Sequence, residues 1–308
     1  MEEKKNKPTD NQAALKNLPA NYIRQSYYVS AMQADLTIQQ IRILVGMMQS
    51  IQDGVREMFE KNRRNEKNQL FLFPEMAEAD RVHVDFKFSD VVGRADSYRD
   101  VERVANKFMQ MVFRYEDKEE GMVKLRNFAY EVSYPSRGSK RDKIRFTFTK
   151  EQAEAVFNFT KYSRYLMSVV MSAKSKHTAR IYMLITSARG FEHDDSGVFH
   201  WYVGYEELRR ILGCDVQDAT DRWYRKSQKQ YKHFKADILR TAQKELKAMS
   251  DAGESDCWFD FIELPDGFDG EPQRFDFVVH LSDVRKIEKR VVEAADSGND
   301  PYNDMEPW

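Results

Sequence analysis

Tyr231-Lys232-His233-Phe234-Lys235-Ala236-Asp237-Ile238-Leu239-Arg240-Thr241-Ala242-Gln243-Lys244-Glu245-Leu246-Lys247-Ala248-Met249 is the stretch that decides the fold. Tyr231, Phe234, Ile238, Leu239, Ala242 and Leu246 recur at helical spacing and form one apolar stripe. Lys232, His233, Arg240, Lys244 and Lys247 lie on the other side. A short helix, predicted over Tyr205–Leu212, comes before it and stops at Gly213. Helix, turn and long basic helix in that order suggest a helix-turn-helix whose second helix offers cations to a polyanion. A plain solvated helix face is the competing reading of the same charges.

Charge separates the segments, although the whole chain is nearly neutral, with 49 basic and 50 acidic residues. Residues 160–250 hold 17 Lys/Arg against 10 Asp/Glu, a balance of +7. Residues 251–308 hold 5 against 16, a balance of −11, and residues 1–159 hold 27 against 24. A basic middle beside an acidic end points to a polyanionic partner for the middle.

A chain of 308 residues is long enough for two domains of about 130 residues each, and 41% hydrophobic residues suffice for two cores. Residues 1–20 contain no apolar run, so no signal peptide is expected, and nothing is long and apolar enough to span a membrane. The two cysteines, Cys214 and Cys257, lack metal-ligand spacing, and a cytoplasmic location is expected for such reduced thiols.

Working outward, residues 1–20 read as a disordered polar arm. A helix over Asp35–Ile51 follows, capped by Asp35 or Thr37. Val82, Val84, Phe86 and Phe88 alternate as a strand, and Ser89–Val92 reads as a short helical turn. The second periodic helix, Tyr98–Val112, carries Arg99, Arg103 and Lys107 every four residues along one exposed edge. Strands Val123–Ser133 and Lys143–Thr149 flank a turn that holds Arg137, Lys140 and Arg141, and a helix Lys150–Phe159 leads out. The second half repeats that order. It has a helix over Tyr165–Ala188, a strand over Phe199–Val203, the two helices of the opening stretch, and strands Cys257–Leu264 and Arg274–Leu281. Helix-turn-helix followed by a hairpin is a winged helix. The expected class is therefore α+β and helix-rich, with two tandem winged-helix domains over 21–160 and 161–286. An acidic disordered tail, 287–308, follows.

Taken in order, Leu36–Leu44, Phe88–Gly93, Phe159–Tyr162, Ser175–Tyr182 and Phe234–Leu239 with Glu245-Leu246 resemble the iteron-binding plasmid replication initiator (Rep) proteins. Leu36-Thr37-Ile38-Gln39-Gln40-Ile41-Arg42-Ile43-Leu44 is similar to that family's opening helix, and Phe88-Ser89-Asp90-Val91-Val92-Gly93 with Tyr98 to the approach to its first recognition helix. Phe159-Thr160-Lys161-Tyr162 looks like its inter-domain junction. Ser175-Lys176-His177-Thr178-Ala179-Arg180-Ile181-Tyr182 resembles the opening helix of its second domain, and Phe234-Lys235-Ala236-Asp237-Ile238-Leu239 with Glu245-Leu246 its second recognition helix. The resemblance runs from about Tyr22 to Val284 and rests on order and spacing rather than on one motif. It implies double-stranded DNA as partner, as direct repeats at a replication origin. It also implies monomers that open the origin, dimers that repress their own promoter, and contacts with a host replication initiator and replicative helicase. Glu263, Asp266, Asp269 and Glu271 depart from it by making the second wing acidic, so the second domain should lean on its helix.

Such a protein needs cations on phosphates for affinity and a helix in the major groove for sequence. Lys232, His233, Lys235 and Arg240 are the candidates for base edges, and Lys229 and Lys244 for phosphate. Arg99, Arg103 and Lys107 are the corresponding candidates on the first helix, with Arg137, Lys140 and Arg141 on the first wing. No catalytic residue, cofactor or metal site is expected. The six histidines, at 83, 177, 193, 200, 233 and 280, never flank a single apolar residue as a nicking enzyme's metal pair would. No glycine-rich phosphate loop occurs. Asp194 and Asp195 read as turn residues, the methionines as core filling, and Trp201 and Trp258 as core. His177-Thr178-Ala179-Arg180 with Tyr224 faintly resembles the boxes of tyrosine strand-transfer enzymes, but Cys214 follows Leu212-Gly213 where those carry histidine. A transcriptional repressor of the same fold is the other open reading. Direct repeats beside an AT-rich tract would mark an initiator, and a lone inverted repeat a repressor.

Overall fold

The computed structural model describes residues 22–32, 35–49, 81–87, 98–117, 122–136, 143–149, 152, 162–187, 197–214, 230–264 and 272–282. Contacts divide the chain into two units, one of residues up to Val29 with Arg42–Tyr162, the other of Ser30–Ile41 with Ser163–Pro307. Segment 30–41 thus groups with the second unit, although in sequence it lies between the two pieces of the first.

The first described elements are strand β1 (Tyr22–Ser26), a turn of helix α1 (Tyr27–Ser30) and helix α2 (38–49). Thr37 starts α2, not Asp35. Its backbone N–H donates to Gln40 Oε1 at 2.8 Å, and Gln40 N–H donates back to Thr37 Oγ1 at 3.3 Å, a reciprocal cap. In the first unit, β2 (Arg81–Lys87), α3 (Tyr98–Gln110), β3 (Val112–Asp117), β4 (Met122–Asn127), β5 (Glu131–Ser133) and β6 (Lys143–Thr149) follow. The sheet runs β2-β6-β5, all antiparallel. Helix α3 ends at Gln110, and Val112 opens β3 rather than closing the helix.

The strand expected over Val123–Ser133 is two strands. β4 pairs with β3 in a separate hairpin and β5 pairs with β6. The break is at Phe128-Ala129, both fully buried, where Phe128 N–H donates to Met111 O at 2.8 Å. Phe128 turns inward to meet Phe108 at 5.3 Å and Phe148 at 5.7 Å between ring centroids. Phe146 meets Phe108 edge-on at 5.3 Å, so α3 is locked to the sheet by aromatic packing. Thr149 and Gln152 repeat the reciprocal cap at the start of the helix expected over 150–159. The rest of that helix lies outside the described residues, as do Ser89–Val92, Asp194, Asp195, Asp266, Asp269, Glu271, the arm and the tail.

The single helix expected over Tyr165–Ala188 is strand β7 (Tyr162–Leu166), α4 (Met167–Ser172) and α5 (Lys176–Ile185). Apolar residues run through all three, with Tyr165, Leu166, Val169, Val170 and most of α5 buried, so their pattern could not mark the breaks. What separates α4 from α5 is Ser175, whose side chain caps α5 by accepting from His177 N–H at 3.1 Å. Tyr182 of α5 is fully buried, donates its hydroxyl proton to Asp256 Oδ1 at 2.6 Å and accepts from Leu166 N–H at 2.9 Å. Burial, then the Asp256 carboxylate, hold that hydroxyl well above the ordinary tyrosine range.

β8 (Val198–Gly204), α6 (Tyr205–Ile211), α7 (231–251), β9 (Cys257–Leu264) and β10 (Arg274–Leu281) complete the unit. The sheet order is β8-β10-β9, antiparallel throughout. The turn after α6 uses Gly213 at φ +68, with Cys214 N–H closing back to Arg209 O at 2.9 Å. A Cβ there would come within 2.6 Å of Asp35 Cα, so glycine is required twice, by its φ and by the chain lying against it. Cys214 and Cys257 are free and buried. Neither tryptophan is core: Trp201 is half-buried and packs on Phe277 at 5.1 Å, and Trp258 is set differently. It is half-buried between the His280 ring at 4.1 Å and the Lys247 ammonium at 4.5 Å.

Candidate nucleic-acid interface

Helix α7 is held from behind. Phe234, fully buried, packs against Tyr205 at 5.4 Å and Phe275 at 6.4 Å, and Ile238, Leu239, Ala242 and Leu246 continue the contact. Glu245 accepts from Lys174 N–H at 2.6 Å and Thr178 Oγ1–H at 2.5 Å, and Gln243 donates to Asp260 at 2.7 Å. The apolar positions 234, 238, 242 and 246 step by four, which outruns a 3.6-residue turn. The helix absorbs the excess with a π-helical stretch over Phe234–Leu239, whose wider turn keeps the row facing the sheet.

The same widening straightens the opposite row. Lys232, Ala236, Arg240, Lys244 and Ala248 are all exposed at intervals of four, with Asp237 and Thr241 exposed beside them. At a 1.5 Å rise per residue the cations Lys232, Arg240 and Lys244 span about 18 Å, roughly five base steps of duplex DNA. Among the described residues none of the three has an ion-pair partner. Ala236 and Thr241, between long cations, leave room for base edges and thymine methyls.

The other candidates are placed differently. His233 is half-exposed, with Nδ1 3.8 Å from Asp237 Oδ2. Lys235 leaves the row. Its ammonium pairs with Glu263 of β9 and lies 5.8 Å from the Tyr231 ring centroid. Burial pushes the Glu263 carboxyl up, but the Lys235 ammonium and the Tyr231 hydroxyl beside it prevail and hold it below the ordinary range. Lys247 is also turned away, onto Asp251 at 2.5 Å and over Trp258. Lys229 lies outside the described residues. Ala236, Asp237 and Thr241 were missed by reading cations alone, although the four-residue step from Lys232 to Arg240 passes through Ala236.

On α3, Arg103 is exposed with Glu102, Asn106 and Gln110, and Lys107 is half-buried, while Ala105 and Phe108 face the core. Arg99 lies on the same helix. Arg137, Lys140 and Arg141 lie outside the described residues. Exposed side chains of the β2-β6-β5 sheet pair with one another. Arg145 holds Asp85 through two hydrogen bonds at 2.7 and 2.8 Å, and Arg81 lies 4.2 Å above the Tyr130 ring.

His177 and Arg180 sit on α5 as structural residues. Arg180 is 3% exposed and its Nη2 donates to Met32 O and to Ile211 O at 2.9 Å, so its guanidinium is buried away from any scissile phosphate. Burial pushes its guanidinium down to about 10, with Asp35 pulling the other way. Among the described residues no group of three His, Cys, Asp or Glu could hold a metal, and no helix is long and apolar enough to cross a membrane.

Comparison with known proteins agrees with this arrangement. The family model for the initiator replication protein, WH1, matches residues 22–186. The crystal structure of Pi initiator protein, solved in complex with iteron DNA, superposes with a TM-score of 0.51 at 14% identity, over 84% of this chain and 98% of that one. No curated protein matches. The expected fold, tandem winged helices in an α+β chain, is therefore the observed one. With over half its length matched, the chain belongs to the initiator replication protein family, whose members bind DNA without catalysing a reaction on it.

Proposed function

We propose that this chain is a sequence-specific duplex-DNA-binding initiator of plasmid replication that binds iterated repeats at an origin and promotes its opening. The observation that carries the reading is the exposed row Lys232, Arg240 and Lys244 on a helix whose opposite side is fixed to the sheet. A rigid helix with cations on its free side is what the major groove accepts. Lys232, His233 and Arg240, nearer the N-terminal end, read base edges, and Lys244 meets phosphate. Lys235 supports the helix against the wing. In the first domain Arg99, Arg103 and Lys107 face the duplex, with Arg137, Lys140 and Arg141 gripping backbone or minor groove. The Pi initiator's crystallisation with iteron DNA supports the choice of repeats as target.

Opening draws on binding energy alone. Several bound copies bend the duplex, each smooth bend costing roughly 1–6 kcal/mol, and strain the neighbouring AT-rich tract. Dimers repress the protein's own promoter, and the opened origin receives a host initiator and replicative helicase. The test is footprinting of supercoiled plasmid origin DNA together with permanganate probing of unpaired thymines. Protection of each direct repeat with new reactivity in the adjoining AT-rich tract is expected. Binding confined to one inverted repeat, with no reactivity, would overturn the reading and leave a repressor.

A further inference from the structure

Asp237 is the acidic group in the exposed row of α7, set among Lys232, His233, Arg240 and Thr241. Its side chain is 63% exposed. The other acids described on this helix and its sheet have evident structural partners. Glu245 takes Lys174 and Thr178, Asp251 takes Lys247, Asp260 takes Gln243 and His280, Glu263 takes Lys235, and Asp276 takes His200. Among the described residues Asp237 has only His233, at 3.8 Å and with both groups open to water, a pair that contributes little. It lies well past the first turn of a helix that begins at Tyr231, so the helix dipole does not explain it.

A carboxylate on a surface that meets phosphates opposes binding. It is compatible with that surface only where it finds a donor. The major groove presents donors at two places, cytosine N4 and adenine N6, and a carboxylate that only accepts is suited to cytosine, whose major-groove edge offers a donor alone. We propose that Asp237 is a specificity-determining residue that accepts a hydrogen bond from the N4 amino group of a cytosine in the target repeat. The inference rests on the groove reading of α7 given above. In this arrangement the neighbouring Arg240 favours a guanine, and Asp237 rejects bases that present only acceptors.

The experiment is binding selection on a randomised duplex library with the wild-type chain, Asp237→Asn and Arg240→Ala. It is followed by fluorescence-anisotropy titration of each protein on the wild-type-selected duplex and on a scrambled one. The wild type is expected to enrich cytosine at a position that Asp237→Asn loses, with a discrimination falling by about fivefold or more. The amide should draw that position toward adenine, which offers a donor and an acceptor together. Affinity of Asp237→Asn for scrambled duplex should rise, because a negative charge has left the phosphate-facing surface. A merely structural aspartate would lower both affinities together. If Asp237→Asn keeps every wild-type preference while Arg240→Ala loses one, this inference is overturned and the groove reading stands. If Arg240→Ala also keeps every preference, both fall.

Discussion

Truncating Lys244 to alanine removes the last cation of the exposed row and nothing else. The side chain is exposed, has no ion-pair partner among the described residues and lies opposite the buried Ala242 and Leu246. Folding stability should therefore stay within about 0.5 kcal/mol of wild type. Binding should not. A lysine that neutralises one phosphate contributes about 0.9 to the slope of log affinity against log salt. Between 50 and 200 mM salt, a fourfold change, that contact alone accounts for about a 3.5-fold loss. The ratio of wild-type to Lys244→Ala affinity should thus be about 3.5 times larger at 50 mM than at 200 mM, equally on selected and scrambled duplex. The assay is anisotropy titration of both duplexes at several salt concentrations. Arg240→Ala is the contrast, costing about 1–3 kcal/mol on the selected duplex and far less on the scrambled one. Parallel salt lines for wild type and Lys244→Ala would refute the phosphate assignment. A reduced slope for Arg240→Ala with no loss of base preference would reverse the two roles.

Gly213→Ala should destabilise the second unit by more than about 1 kcal/mol, read as a lower thermal midpoint, because φ +68 and a 2.6 Å approach to Asp35 Cα both oppose a Cβ. Tyr182→Phe should cost about 1–3 kcal/mol in urea unfolding, since it strips a partner from the buried Asp256 and from Leu166 N–H. The hydrogen bond from Arg145 holds the Asp85 carboxyl below its ordinary range against a smaller opposing effect of burial. A depressed carboxyl contributes its stability above its unfolded value and loses it as pH falls through the folded one. Asp85→Asn should accordingly narrow the stability difference between about pH 6 and about pH 3, and an unchanged difference would show the pair to be idle.

The sequence by itself determined what is periodic and what is punctuated. The bounds Cys257–Leu264 and Arg274–Leu281 follow from alternation between turn residues and are the strands observed. The apolar stripe of α7 is the buried side, because a helix repeats its face every turn whatever lies opposite. Lys232, Arg240 and Lys244 were legible for the same reason. Tertiary structure decided everything that depends on a partner distant in the chain. Lys235 looks like its neighbours until Glu263, on the far side of the wing, claims it. Arg180 passes for a basic-box residue until the carbonyls of Met32 and Ile211 close around it. The run Tyr165–Ala188 reads as one helix because apolar residues continue from strand to helix to helix, and in α5 burial on nearly every side erases the polar side that periodicity needs. Asp237 is the reverse case, an acid whose meaning appears only when every other acid around it is seen to be engaged and its own row is seen to be open.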